Sequence, residues 1–432
     1  MEIMKNGGET RRRAFHLPYE GGRRERQLRC LWLTRVDPML PDAGDLSYTF
    51  HLLTSLARAG VKLTVLAAAR AGHCARRPVA DGVEWRLFDP DKDWESHGNS
   101  AFWSLFSRLP NIAARYKTAA FQRELDAQLV REWDAIVIDH LGMGWTWPWV
   151  EAYCRKNSDV ISVFIAHGCE SEIRWTMAQN YRGNVIRRIG LHFDARKAGL
   201  LEGKMVQKST LLSVITAEDR RSFGNLAKSV LLAPGYAGTH AGSREITAAT
   251  PRRALIFGSA LWFAKQMNLI EFVAAADELF WRNQIELWVV GKVPDHLRAG
   301  SHYRATRFLG FVDDPEPIFR DVRIGIVAER TGGGFKLKSL DYIFNRVPIA
   351  AIRGGIAGLP LRPEIDYLSY DTMSELAQGV VAVIGDLEQL NSLQKAAYTK
   401  CNTGFDWPDR GHLLRDAMQQ AVDGKRAAMA LT

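Results

Sequence analysis

A glycine cluster, two lysines and an aspartate occur together in the stretch TGGGFKLKSLDYIFNRVPIAA. Consecutive glycines such as Gly333 and Gly334 expose backbone N–H groups that bind an anion without obstruction from side chains. Lys336 and Lys338 stand two positions apart at the start of a helical pattern, so we expect them to point in different directions, with one facing the anion. Asp341 lies three residues after Lys338, where a carboxylate can accept hydrogen bonds from ribose hydroxyls. The stretch predicts a nucleoside diphosphate site; the alternative is a glycine-rich turn before a solvated helix.

Two further loops follow predicted strands and place an anion-binding group before a helix. Gly44 and Asp45 come after the strand LRCLWLTRV, and the free N–H groups of a helix N-terminus bind anions. Ser259 and Lys265 follow the strand RRALIFG, where both can contact a phosphate. Each loop has a plainer interpretation, with Asp45 as a helix N-cap and Lys265 as a surface lysine. Neither loop has the G-x-G-x-x-G spacing of a dinucleotide site.

Two histidines stand at the ends of predicted strands, His140 in IDH and His167 in IAHG. Ligands of parallel sheets bind beyond these strand ends, so His167 is a candidate for a functional role, with a structural hydrogen bond as the alternative. Glu170 and Arg174 are four residues apart and would share one face of a helix. Because no H-x-H or H-E-x-x-H spacing accompanies the histidines, we expect no bound metal.

Apolar strand patterns alternate with helical patterns of about 10 to 15 residues, which predicts right-handed βαβ units and parallel sheets. Two such sets predict two doubly wound α/β domains, at 28–233 and 251–405, joined by a linker rich in Gly, Ser, Thr and Ala at 234–250. Residues 1–27 are predicted to be a disordered basic tail, and 406–424 a helix that packs back on the first domain. The two sheets are expected to face a shared cleft.

Composition narrows the classes of partner. The chain has 432 residues, a net charge of +9 and a pI near 9.3, which suits nucleic acid, anionic lipid or a phosphorylated small molecule. No zinc-finger, RNP-like or helix-turn-helix pattern occurs, so we expect no nucleic-acid partner. The five scattered cysteines and the lack of a long apolar run predict a cytoplasmic protein without a spanning helix. The stretch NSAFWSLFSRLPNIAARYKTAAF predicts an amphipathic basic helix, either on the anionic inner face of the plasma membrane or in a core.

The order of these segments resembles that of GT-B glycosyltransferases, most closely the bacterial retaining branch known as family 4. The collinear segments are LWLTRVDPMLPDAGD, IAHGCES, VITAEDRRSF, LLAPGY, FGSALWFAKQMN, LWVVGK, FLGFVDD and GGGFKLKSLDYIFNRVPIAA. The resemblance implies two Rossmann-like domains facing a cleft, with the acceptor on the first and the nucleotide-sugar on the second. It also implies a final helix that crosses back to the first domain.

The resemblance assigns roles to individual residues. Lys338 matches the phosphate-binding lysine, Asp341 the ribose-binding acid, and Lys265 the basic residue that neutralises the diphosphate. Gly44 falls in the glycine loop that approaches the sugar phosphates, and His167 matches a strand-end histidine beside the transferred sugar. Each of these residues is a predicted donor contact.

The glycine turn agrees with the family's pattern at one position and differs from it at another. Gly334 lies in the turn that approaches the transferred sugar. The family often has two glutamates, and here Asp341 holds the second position while Gly333 holds the first. Glu329 or Glu170 is left to supply the missing carboxylate, unless none is needed.

The implied activity is transfer of a hexosyl group from a nucleotide-diphosphate sugar to a polysaccharide or lipid-linked glycan, with retention and without a metal or other cofactor. Such a reaction belongs to cell-surface or exopolysaccharide biosynthesis. Two alternatives stay open. One is a nucleotide-sugar 2-epimerase that uses His140 and Glu170 as an acid/base pair. The other is a non-catalytic protein whose basic tail binds membrane or nucleic acid. The presence of Gly333 at the position of the first glutamate favours this alternative.

Overall fold

The computed structural model describes residues 27–39, 44–69, 82–89, 107–299, 302–330 and 335–430, which form two parallel β-sheets covered by helices. Within these residues the first sheet has seven strands in the order β3–β2–β1–β4–β5–β6–β7. The strands are β1 Arg29–Val36, β2 Lys62–Ala68, β3 Val83–Phe88, β4 Ala135–Asp139, β5 Ile161–Ile165, β6 Leu211–Val214 and β7 Ser229–Leu231.

The second sheet repeats the arrangement, with six strands in the described residues in the order β10–β9–β8–β11–β12–β13. The strands are β8 Arg253–Phe257, β9 Glu286–Val290, β10 Thr306–Gly310, β11 Ile324–Val327, β12 Ile349–Ile352 and β13 Leu368–Tyr370. In each sheet the strand order reverses beside the first strand, β1 or β8. A crevice opens at such a reversal, and ligands of doubly wound sheets bind there.

Helices connect the strands and cover both faces of each sheet. Those of the first half are α1 Gly44–Arg58, α2 Asn111–Ala114, α3 Ala119–Gln128, α4 Trp147–Lys156, α5 Glu170–Asn180, α6 Val185–Lys208 and α7 Ala217–Ser222, with a 3₁₀ helix at Leu141–Thr146. Those of the second half are α8 Phe263–Arg282, α9 Asp295–Ala299, α10 Glu316–Arg320, α11 Leu337–Phe344, α12 Met373–Val383, α13 Leu387–Cys401 and α14 Trp407–Ala430.

Strands β1 and β4 are buried on both faces, which is why they appear in the sequence as continuous apolar runs. Side chains alternate between the faces, so Trp32 and Val137 join the core beneath α14, whereas Leu31 and Ile138 join the core on the opposite side. The strands that the sequence predicted in these regions are therefore present. Strand β13 and the helices α6 and α13 were not predicted.

The last helix, α14, packs on α1 and contacts β5 and β6 of the first sheet. The approach to α1 is close, because a Cβ on Gly411 would overlap the backbone carbonyl of Ser55. The sequence predicted that this helix ends at Gly424, but it continues to Ala430. Packing of Leu414 and Met418 in the core outweighs the cost of about 1 kcal/mol for a glycine inside a helix.

No helix in the described parts of the chain combines the length and the hydropathy of a bilayer-spanning segment. Residues 99–106 of the amphipathic helix predicted at 99–121, which include Trp103 and Phe106, lie outside the described residues. Its described part contains the short α2, where Ala113 is buried and Ile112 packs against the core of the first sheet. The prediction of one continuous helix was wrong for residues 107–121, because α2 ends at Ala114 and Thr118 caps the start of a second helix by accepting from Phe121 N. The short α2 is a core element.

Candidate functional site

Two lysines and a glutamate meet at the carboxyl ends of β8 and β11. Lys338 Nζ lies 2.7 Å from Glu329 Oε1, and Lys336 Nζ lies 3.7 Å from Glu329 Oε2. The expectation that the two lysines point in different directions was wrong. Lys336 precedes the first turn of α11 with an extended backbone, φ −94° and ψ 93°, so the angular spacing of a helix does not apply to it.

A cavity beside this cluster is lined by several of the residues singled out in the sequence. Ser259, Lys265, Glu329 and Lys338 share it. Burial alone would raise the pKa of Glu329, but Lys338, Lys336 and Lys265 outweigh burial and lower it to about 2. Burial lowers the pKa of Lys336. The cavity is therefore a small positively charged enclosure with one ionised carboxylate in its wall, an environment suited to a polyanion.

Backbone rather than side chain forms part of the cavity wall, where Gly258 lines it. Gly258 and Gly291 end β8 and β9 with φ of +107° and +124°, angles that favour glycine. A Cβ on Gly291 would overlap the carbonyl of Gly258, so the two strand ends approach each other without intervening side chains. The sequence analysis did not single out either glycine.

Helix α11 is held on the second sheet by Tyr342. Its hydroxyl accepts a hydrogen bond from Phe257 N at 2.9 Å and donates to Leu255 O at 2.9 Å. Its ring covers Gly325, where a Cβ would lie 2.8 Å from the ring. Because these contacts are buried, they fix the first turn of α11 relative to the strand ends.

Asp341 lies on α11 one turn after Lys338. Burial raises the pKa of Asp341 to about 7. Among the described residues, no hydrogen-bond donor contacts its carboxylate. The group is thus available to a donor brought by a ligand, and it titrates near neutral pH.

His167 in the first domain is held by a buried aspartate. His167 Nε2 lies 2.6 Å from Asp139 Oδ1, and Thr49 Oγ1 donates to Asp139 Oδ2 at 2.7 Å. Burial would raise the pKa of Asp139, but His167 and Thr49 lower it below its ordinary value. The ionised carboxylate therefore accepts the Nε2 proton. Within the described residues, the buried Nδ1 of His167 has no hydrogen-bond partner.

His140 is engaged at both ring nitrogens. Its Nδ1 accepts a hydrogen bond from Gly142 N at 2.9 Å, and its Nε2 lies 3.3 Å from Glu170 Oε1. Its backbone has φ 75° and ψ 149°, a strained conformation that is rare outside glycine. Burial would raise the pKa of Glu170, but His140 and Arg174 lower it to about 2. Arg174 Nε lies 3.6 Å from Glu170 Oε2 on the same face of α5, as the four-residue spacing predicted.

The start of α1 connects the histidines to the second domain. Arg35 pairs with Asp45, and although burial would raise the pKa of Asp45, Arg35, His140 and His167 hold it well below its ordinary value. Gly44 approaches α11 so closely that a Cβ on it would lie 3.2 Å from Leu337 Cδ1. Gly44 and Asp45 therefore stand between the histidine pair and the lysine cluster.

Sequence reasoning missed Asp139, Arg35 and Glu202 as site residues. Asp139 and Arg35 could have been found, because both are charged residues in or at the end of buried strands. Glu202 carries no such signal. It accepts hydrogen bonds from Glu170 N at 2.9 Å and Ser171 N at 3.1 Å, and it thereby caps α5 from α6. Burial raises the pKa of Glu202.

Two predicted site residues, Gly333 and Gly334, lie outside the described residues. The described residues bring the remaining ones into two groups. Ser259, Lys265, Lys338 and Asp341 lie on the second domain, and Gly44, Asp45, His167 and Glu170 lie on the first. No group of three His, Cys, Asp or Glu side chains in the described ranges could hold a metal ion.

Similarity to known proteins identifies the fold of this chain. Residues 252–386 match the family model described as glycosyl transferases group 1. The structure of HepE from Anabaena in complex with UDP and glucose has a TM-score of 0.59 at 13% identity, covering 91% of this chain and 100% of that chain. WaaG, a glycosyltransferase involved in lipopolysaccharide biosynthesis, has a TM-score of 0.61 at 16% identity, covering 90% and 99%. The chain has the GT-B fold.

The predicted GT-B architecture is thus confirmed. A third structure of similar fold, the apo structure of OtsA, has a TM-score of 0.57 at 12% identity, covering 92% of this chain and 99% of that chain. No curated protein matches the chain in sequence. The family match begins at β8 and ends just after α12, so within this GT-B fold it covers the sheet that carries the lysine cluster.

Proposed function

We propose that this protein is a glycosyltransferase that moves a hexosyl group from a nucleotide-diphosphate sugar to an acceptor hydroxyl. The observation that carries the proposal is the group of Lys265, Lys336 and Lys338 around Glu329 at the strand ends of the second domain. A diphosphate is the ligand that best offsets this charge. The family match over the same domain supports the proposal, as does a GT-B relative solved with UDP and glucose.

The diphosphate, the ribose and the transferred sugar of the donor each have their own part of the site. The diphosphate contacts Lys265 and Lys338, and Ser259 lies in the same cavity. The ribose hydroxyls donate to Asp341, one turn further along α11. From the sequence, we also expect the N–H groups of Gly333 and Gly334 to bind the diphosphate. The transferred sugar then extends toward Gly44 and the first domain.

The chemistry follows from the charges. The bond between the anomeric carbon and the diphosphate oxygen breaks, and the negative charge that develops on the leaving group is stabilised by Lys265 and Lys338. The acceptor oxygen forms the new bond on the same face, giving retention, and its proton passes to the leaving diphosphate. The lysines supply the charge that a divalent metal supplies in other transferases, so we propose that the reaction needs no metal.

His167 holds the transferred sugar from the first domain. Its Nε2 is committed to Asp139, which leaves Nδ1 to accept a hydrogen bond from a sugar hydroxyl. Asp45 and Glu170 lie near the same sugar, and both are ionised, as their lowered pKa values indicate. Glu170 or Glu329 stands in for the carboxylate that Gly333 lacks.

We further propose a polysaccharide or lipid-linked glycan as acceptor, bound by the first domain, in cell-surface polysaccharide biosynthesis. WaaG, with the same fold, is involved in lipopolysaccharide biosynthesis. Membership of family 4 and a location at the cytoplasmic face of the membrane belong to the same proposal. The domain limits predicted from the sequence, 28–233 and 251–405, belong to the same proposal.

Calorimetric titration with UDP and with GDP in EDTA tests the donor site. We expect micromolar binding of one nucleotide by the wild type, loss of binding in Lys338→Ala, and unchanged binding in Lys395→Ala. Lys395 is an exposed lysine on α13 and serves as the matched control. Absence of binding to either nucleotide would overturn the assigned site and favour a non-catalytic protein. Binding that requires added Mg²⁺ would overturn the metal-free reaction.

A nucleotide-sugar 2-epimerase is the second candidate, because His140 and Glu170 form a close acid/base pair. Both ring nitrogens of His140 are already engaged within the first domain, which favours a structural role for it. Product analysis without an acceptor separates the two reactions. An epimerase converts the donor sugar alone, whereas a transferase yields at most slow hydrolysis.

A further inference from the structure

Helix α6 carries large apolar side chains on its solvent side. We define its outer face as five residues, each more than half exposed: Val185, Ile186, Ile189, Phe193 and Leu200. At 3.6 residues per turn they fall within roughly 100° of the helix circumference. Ile186 is 79% exposed and Leu200 is 69% exposed. Such a contiguous exposed apolar surface marks an interaction site.

The opposite face of α6 already packs inside the protein. Ala195, Ala198 and Met205 are fully buried, and α6 packs along α5. The helix therefore makes its core contact through two alanines and Met205, while five large apolar side chains are left outside. This reverses the usual amphipathic pattern, in which the polar face is solvated. The core contact of α6 is thus already made by its opposite face, and the outer face is a separate surface.

Basic residues flank the outer face. Arg182, Arg188 and Arg196 are exposed, Arg182 just before the helix, Arg188 at the edge of the face and Arg196 within its arc. The acidic residue within this stretch, Asp194, is neutralised by Arg174, with 2.6 Å between Arg174 Nη1 and Asp194 Oδ2. Exposed apolar side chains bordered by arginines are the composition of a helix that lies in the interface of an anionic bilayer.

The N-terminal end of α6 lies beside the second domain. Arg187, on α6, covers the rings of Tyr181 and Phe263 at 5.4 Å and 5.6 Å. Phe263 is the first residue of α8 in the second domain, two residues before Lys265 of the donor cavity. Next to it, Leu261 and Trp262 are 55% and 42% exposed. The end of α6 at which the outer face begins is thus close to a second exposed apolar segment, at the entrance to the donor-bearing domain.

We propose that the outer face of α6 docks on an anionic phospholipid bilayer and holds the cleft at the membrane surface, where a lipid-linked acceptor is presented. The lipid-linked acceptor in this inference rests on the proposed function. The choice of the outer face as the docking surface rests on the structure alone. A second copy of the chain fits the face less well. A two-fold interface would bring the arginines of one copy against those of the other.

Flotation of the full chain with vesicles tests the proposal. The vesicles are phosphatidylcholine alone or phosphatidylcholine with phosphatidylglycerol. We expect flotation with the anionic vesicles, and a partition coefficient at least roughly 10-fold lower for the triple variant Ile186→Ser, Ile189→Ser and Phe193→Ser. The matched control removes three exposed apolar side chains elsewhere and should float as the wild type does: Val130→Ser, Ile270→Ser and Ile365→Ser.

Charge is tested separately. One arginine near an anionic surface contributes about fivefold to partition, so Arg182→Glu with Arg188→Glu should reduce it by roughly 25-fold or more. Arg123→Glu with Arg155→Glu reverses two exposed arginines elsewhere and should leave partition within a few fold. Added salt should weaken binding of the wild type.

Each outcome decides something. Loss of flotation only in the α6 variants supports the proposal. Equal flotation of the wild type and the α6 variants, or no flotation of the wild type, overturns it. A wild-type dimer that the triple serine variant converts to a monomer also overturns it, because the face then belongs to a second copy. UDP titration of the same samples tests the donor site independently of membrane docking. Vesicle binding without nucleotide binding would contradict the proposed function but not the docking surface.

Discussion

The Lys338 ammonium lies 2.7 Å from the Glu329 carboxylate, and the two side chains are only 12% and 10% exposed. Glu329 offsets the repulsion among Lys338, Lys336 and Lys265, which together lower its pKa to about 2. The Glu329 carboxylate thus supplies negative charge to the three lysines in the folded protein, and a bound phosphate would supply more of it. Stability and donor affinity should therefore be linked at this residue.

Replacing Glu329 by Gln should lower the free energy of unfolding by about 3 kcal/mol, because the lysines lose their buried counter-charge. Saturating UDP should restore more stability to the variant than to the wild type, since the diphosphate supplies the missing negative charge. Urea unfolding with and without UDP measures both effects. Glu132→Gln, at a highly exposed glutamate, is the control. An equal gain from UDP in Glu329→Gln and the wild type would contradict the linkage.

Asp341 predicts a pH dependence of stability. Its pKa is raised from an ordinary value of 3.8 to about 7, so the protonated form fits the fold better than the ionised form. The wild type should lose stability as the pH rises from about 4 through 7. Asp341→Asn should then exceed the wild type by roughly 2–4 kcal/mol at pH 8 and match it near pH 4. Urea unfolding at the two pH values measures this; a difference that does not change with pH would refute it.

Asp139 positions His167, and its substitution should act on catalysis rather than on nucleotide binding. Asp139→Asn replaces the charged acceptor of the His167 proton with a neutral one, so we expect kcat to fall about 10- to 100-fold. Affinity for the bare nucleotide should be unchanged, because that site lies on the second domain. Steady-state kinetics and UDP titration separate the two.

A milder change at the same aspartate provides the comparison. Thr49→Val removes one neutral donor to Asp139 and leaves the pair with His167 in place, so its effect on kcat should be several-fold smaller. Equal losses in Thr49→Val and Asp139→Asn would point to a general disturbance of the buried site rather than to the histidine.

Gly44 predicts a coupling across the cleft. Its Cβ position lies 3.2 Å from Leu337 Cδ1, so Gly44→Ala should have a small effect, whereas Gly44→Val should hinder the approach of α1 to α11. We expect Gly44→Val to lower transfer activity about 10-fold or more, by the sensitivity of catalysis to misplaced groups. Leu337→Ala should recover part of the loss by making room.

A double-mutant cycle over Gly44 and Leu337 measures that coupling as a difference in activity. Gly424→Ala, at an open position of α14, serves as the control for adding a side chain to a helical glycine. Additive effects of Gly44→Val and Leu337→Ala would mean that the two residues do not interact in the active protein.

Most of the strands could be predicted because parallel strands are covered on both faces and therefore form continuous apolar runs. Helix α6 could not. It packs through small residues such as Ala195 and Ala198 and exposes larger ones such as Phe193, so its apolar side chains do not mark an inward face. The relation of Lys336 to Lys338 was wrong for a similar reason. Helical spacing was applied to a residue that precedes the helix.

The fold class could be predicted from the sequence alone, as could the residue types at the strand ends: glycines, lysines, histidines and acids beside buried runs. The partners of these residues became known from the folded structure. Asp139 with His167, Glu329 with Lys338, and Gly44 with Leu337 are such pairs. Burial patterns have local periods that a sequence displays, whereas a hydrogen bond or contact depends on distances between segments whose relative positions the packing of the sheets sets.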